Sequence, residues 1–132
     1  MKSKVIGIIV GLVIMIPVLI IMFGNGGPDR GEPVPSGKLA AIESGLNIST
    51  YTLRNGWAVK SEAFKSVYMI AAEIDGPGLD GDGDVGLWAS TSLSSGPIYA
   101  VDALAKGYSV WPVTDITPYD DGADEAKAGV KR

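Results

Sequence analysis

The chain has 132 residues, enough for one domain, and contains neither Cys nor His. Those absences remove thiolate chemistry, disulfides, the commonest general base and the commonest metal ligand. From Lys38 to Arg132, 8 basic residues stand against 13 acidic ones, a net charge of −5 with no Lys/Arg cluster, so no nucleic-acid partner is expected.

Lys2 and Lys4 precede Val5 to Phe23, 19 residues without a charge. As a helix rising about 1.5 Å per residue, such a run nearly spans a hydrocarbon core of roughly 30 Å. The sequence therefore predicts a transmembrane signal-anchor over residues 1–23, with membrane contact through residues 5–23. Its flanking lysines place the N-terminus in the cytoplasm and the rest outside. A secreted domain after signal-peptide cleavage is the alternative, because Gly24-Asn25-Gly26 puts small residues where a signal peptidase reads. The apolar run is longer than a typical signal core, which favours the anchor. Gly7 and Gly11 form a GxxxG pair that offers a helix-dimer face, although Gly is common in membrane helices.

Gly24 to Gly37 holds five Gly and three Pro and reads as a flexible linker. Ser36 is a candidate cap for a short helix to Ser44 carrying Leu39 and Ile42, with Gly45 as its left-handed stop. Asn55-Gly56 between Tyr51, Leu53 and Trp57, Val59 predicts a type I′ hairpin turn. Residues 67–74 and 85–91 read as strands, apolar enough on both faces for at least one to be central.

Pro97 in a first helical turn, followed by Ile98, Val101, Ala105 and Tyr108 at helical spacing, predicts the main helix. Thr117-Pro118-Tyr119-Asp120 has the form of a second helix start, with acidic residues early and basic ones late, an order that suits the helix dipole. The expected architecture over residues 38–132 is α+β. It is a small, mostly antiparallel sheet of three or four strands packed against one main helix. Trp57, Phe64, Tyr68, Ile70, Leu87, Trp88, Val101 and Leu104 are the expected core.

Few motifs carry chemistry. Asp80, Asp82 and Asp84 alternate as calcium ligands do, but Val85 and Thr91 stand where an EF-hand needs Gly and Glu. An acidic Gly-rich turn explains the same residues without an ion. Gly76 to Gly81 spells GxGxxG, yet an acidic turn follows where a dinucleotide site needs a helix N-terminus. An enzyme would have to use Lys60 with Ser61, Lys106 with Ser109, or a carboxylate pair drawn from Glu73, Asp75 and Asp102. The aromatic residues Trp57, Trp88, Trp111, Tyr68, Tyr99 and Tyr108 suit either a ligand groove or a core. The expectation is a membrane-anchored extracytoplasmic binding or scaffold module of the cell envelope with an unspecified protein partner. A small cell-envelope enzyme is the alternative.

Overall fold

A computed structural model describes residues 30–79 and 84–130. The predicted anchor, the Gly7/Gly11 face and Asp80 and Asp82 lie outside the described residues. The α+β class holds, with five strands rather than three or four. These are β1 (Glu32–Pro33), β2 (Thr52–Lys60), β3 (Tyr68–Asp75), β4 (Val85–Ser90) and β5 (Ile98–Ala100). They form one antiparallel sheet in sequence order. Helices α1 (Ser36–Glu43) and α2 (Ala103–Tyr108) contribute to one core, and α3 (Ala123–Val130) to the other. The sheet is thus covered on both faces, not packed against one main helix.

The central strands show why. Along β3, Tyr68, Ile70, Ala72 and Ile74 join the core under α1 and α2, while Met69 and Ala71 join the core under α3. Along β4, Trp88 points to the first core, and Val85, Leu87 and Ala89 to the second. Successive strand residues face opposite sides, so a strand apolar at nearly every position needs two layers to bury it.

Asn55-Gly56 is not a hairpin turn. Both halves of β2 pair with β3, with Arg54 opposite Glu73 and Trp57 opposite Ala71, and the register shifts between them. Asn55 and Gly56 together therefore face Ala72, a β-bulge, with Asn55 at a left-handed φ of 57°. The extra residue reverses the parity of the strand. Leu53 and Ala58 share the α1/α2 core, while Trp57 and Val59 turn to the α3 core. The turn signal was legible; what it marked was a change of face within one strand.

The two unexpected strands come from segments with other predicted roles. Glu32 and Pro33, within the Gly/Pro stretch, pair with Ala58 and Trp57, and the Val34 N–H donates to the Gly56 carbonyl at 3.2 Å. Ile98 to Ala100, read as helix, pair with Ser90 to Trp88. Ile98 then lies in one core and Val101 in the other, a separation that a continuous helix with both on one stripe cannot make. The helix begins only at Ala103, where Asp102 accepts a capping bond from the Ala105 N–H at 2.9 Å.

The C-terminal helix also starts later than Thr117. The Asp120 carboxylate accepts from the Thr117 N–H at 2.7 Å and closes a local turn, and Gly122 at φ +97° redirects the chain into α3. Its acidic first turn and Lys127 in its last turn follow the predicted order. Gly45 has no positive φ; a side chain there would collide with the Trp111 ring, whose Nε1 donates to the Ile42 carbonyl at 3.0 Å. Of the expected core, Ile70, Leu87, Trp88 and Val101 are buried, whereas Trp57, Phe64, Tyr68 and Leu104 are half-buried.

Candidate functional site

Three charged side chains are buried among the described residues: Lys38, Glu73 and Asp102. Removing a charge from water is costly unless an opposite charge and hydrogen bonds replace the water. Their surroundings differ on that criterion.

Glu73 is held by the bulge. Arg54 reaches it at 3.3 Å through both Nε and Nη2, and Asn55 Nδ2 donates to it at 2.9 Å. Arg54 also approaches Asp75 at 4.0 Å. Asp102 accepts from the Leu87 N–H at 3.1 Å and from the Ala105 N–H, and pairs with Lys127 Nζ at 3.0 Å. The three carboxylates proposed for a catalytic pair are therefore divided between two ion-pair networks, each with its own cation. A shallow cleft of about 440 Å³ lies beside Asp102 and Lys127, with exposed Tyr119 on its rim, but its central charges already satisfy each other.

The serine–lysine candidates are spent similarly. The Ser109 hydroxyl donates to the Ala105 carbonyl at 2.5 Å and accepts from Trp88 Nε1 at 3.1 Å, inside the core, while Lys106 is exposed. Ser61 is buried and its hydroxyl accepts from the Ala63 N–H at 3.2 Å, while Lys60 is exposed. Asp84 uses its carbonyl to accept from the Ile74 N–H at 2.7 Å. Among the described residues no group of three or more Asp or Glu is placed to hold a metal ion.

Lys38 is the exception. It is 4% exposed, and among the described residues no carboxylate pairs with it. Its Nζ donates to the Ser95 carbonyl at 2.7 Å and lies 3.5 Å from the Gly96 carbonyl. Burial pushes its ammonium below the ordinary lysine value. Those two carbonyls belong to the loop between β4 and β5, which its own hydroxyls shape. Ser90 Oγ donates to the Pro97 carbonyl at 2.6 Å, and Ser92 Oγ accepts from the N–H groups of Ser94 and Ser95 at 3.1 and 3.3 Å.

Lys38 opens onto a cleft of about 490 Å³ lined also by Gly37, Tyr68, Thr91, Ser92, Leu93 and Ser94. The N-terminus of α1 forms one wall. Its N-cap is Pro35, not Ser36, and no side chain caps it. The first backbone bond runs from the Leu39 N–H to the Pro35 carbonyl at 3.0 Å, so the amides of Ser36, Gly37 and Lys38 precede the helical ladder. Lys38 was not singled out in the sequence, although a signal was there. It lies one helical turn before Ile42, which is fully buried, and residues four apart share a helix face.

A separate cluster anchors the start of the domain. Arg30 grips Asp121 through two bonds of 3.0 and 2.9 Å and donates to the Lys60 carbonyl at 2.6 Å. Its own carbonyl accepts from Trp57 Nε1 at 3.0 Å. Pairing with Arg30 holds the Asp121 carboxyl below its ordinary value.

Comparison with protein families, with characterised proteins and with solved structures finds no match to this chain. Among the described residues no helix is long and apolar enough to cross a membrane.

Proposed function

We propose that the chain is a binding module tethered to the outer face of a membrane by residues 5–23, with the Lys38 cleft as its binding surface. The observation that supports binding over catalysis is the contrast among the buried charges. Glu73 and Asp102 are neutralised by partners within the domain, whereas Lys38 faces an open cleft without a counter-charge.

The Arg30 clamp supports a close tether. With Arg30 bound to Asp121 and Glu32–Pro33 paired into the sheet, only residues 24–29 separate Phe23 from the folded unit. Fully extended, six residues reach about 20 Å. On this reading the domain works at the membrane surface and is not displayed on a long stalk.

Protease added to intact cells carrying the full chain tests the topology. The expected result is digestion beyond Phe23 with residues 5–23 retained in the membrane fraction. Protection of the whole chain, or a mature N-terminus near Gly27, would overturn the anchored reading.

A further inference from the structure

We propose that the cleft between the start of α1 and the loop of residues 91–97 binds a small carboxylate with an apolar body, the carboxylate on Lys38 and the body against Tyr68 and Leu93. This rests on the reading of the chain as a binding module and adds the class of ligand.

The donors converge on one place. A lysine ammonium has three N–H groups, and Lys38 meets one carbonyl at 2.7 Å and a second at the limit of 3.5 Å. A donor therefore remains for a ligand. The uncapped α1 terminus adds amides outside the helical ladder and the partial positive charge of a helix start. Thr91, Ser92 and Ser94 line the opposite wall, where the Ser92 and Ser94 hydroxyls share a hydrogen bond of 3.1 Å. Neither the helix end nor the hydroxyls would suffice alone; the buried lysine without an anion is the independent feature that calls for one.

Charge and shape narrow the class. The cleft offers one formal positive charge within a protein of net charge −4, which matches a monoanion better than a phosphate dianion. Tyr68, Leu93 and Pro35 give the rest of the wall an apolar character. A volume of about 490 Å³ falls in the range typical of small-molecule sites, roughly 300–1,000 Å³. Burial lowers the proton affinity of Lys38, and an arriving carboxylate would restore it by supplying the missing opposite charge.

The test uses the ¹⁵N-labelled full chain in zwitterionic micelles, titrated separately with benzoate, neutral benzamide and inorganic phosphate. Benzoate is expected to shift the amides of Gly37, Lys38, Thr91, Ser92 and Ser94 at about 1–10 mM, the range of a weak small-molecule site. Benzamide is expected to leave them in place, and phosphate to act more weakly than benzoate. Lys38→Met should weaken benzoate about tenfold or more, the loss of one charge-assisted hydrogen bond. Lys106→Met, which removes an exposed lysine, should not. If Lys38→Met fails to fold, Lys38→Arg, which keeps the positive charge, should retain benzoate binding within about threefold of the wild type. Loss of benzoate binding in a folded Lys38→Arg variant would overturn the proposal. Equal shifts with benzamide, stronger shifts with phosphate, no shifts with benzoate, or benzoate binding unchanged in a folded Lys38→Met variant would each overturn the proposal. The protease topology of the same chain is read independently. Loss of the carboxylate site with the domain still outside would leave the anchored module standing.

Discussion

The two faces of the sheet bury similar sets of side chains but treat their charged groups differently. Under α3, Met69, Leu87, Val59 and Val101 are fully buried beside Ala71, Ala89, Ala123 and Ala126, and Gly129 packs against the Trp57 ring. The Asp102–Lys127 pair links α3 to the start of α2. Under α1 and α2, Trp88, Ile70, Ile74 and Ile42 are fully buried beside Ala58, Ala72, Ala100 and Ala105. Yet that face carries Lys38 at the edge of a cleft, with its charge unmatched. A cleft borders each side, about 440 Å³ beside Asp102 and Lys127 and about 490 Å³ beside Lys38. In the first the central charges pair with each other, and in the second Lys38 has no counter-charge among the described residues. That difference supports the Lys38 cleft, rather than the one beside α3, as the proposed binding surface.

The largest expected effect tests the packed centre of the α1/α2 face. Trp88→Ala removes a fully buried indole and its bond to Ser109, and should cost about 3–5 kcal/mol in denaturant unfolding. A loss near zero would mean that the α1/α2 layer contributes little to stability. Next, Asp102→Ala removes the α2 cap, the acceptor of the Leu87 amide and the partner of Lys127. The expected cost is roughly 2–4 kcal/mol, read from the unfolding midpoint at constant m-value. Gly129→Ala tests the close approach of α3. A Cβ there would overlap the Trp57 ring, so despite better helix propensity the variant should lose about 1–3 kcal/mol. A gain in stability would show that α3 can move away from the sheet without penalty.

A smaller effect concerns the Arg30 clamp. Asp121 has a lowered folded-state pKa, so its contribution is present above the ordinary value of 3.8 and is lost as pH falls through the folded value. Asp121→Asn should therefore reduce the acid sensitivity of unfolding while lowering stability slightly at neutral pH. Unchanged acid unfolding would show that the clamp does not contribute.

The strands of the centre were legible because their apolar runs are short and bounded by turn residues. β3 and β4 fall within a residue of their expected limits. The edges were not legible, for particular reasons. Glu32–Pro33 is a strand only because β2 offers an unpaired edge, which a Gly/Pro-rich composition does not reveal. Asn55 adopts the left-handed conformation that a turn would need and uses it for a bulge instead. Ile98 to Tyr108 mimics a helical stripe, although its members lie on opposite sides of the sheet. The cleft escaped notice because it joins Lys38 to a loop more than fifty residues away, and no local pattern encodes that pairing.

The most direct test of the unmatched charge is the pH dependence of stability for the wild type and Lys38→Met. Burial lowers the folded-state pKa of Lys38 below 10.5, so between that folded value and 10.5 the unfolded chain binds more protons than the folded one. The penalty of the buried ammonium is present below that window and is relieved as pH rises through it. Denaturant unfolding should show the wild type gaining stability relative to Lys38→Met as pH rises toward 10.5. A difference that stays constant, or one that moves against the wild type, would contradict the account, because it would mean that the Lys38 charge is already compensated in the folded domain.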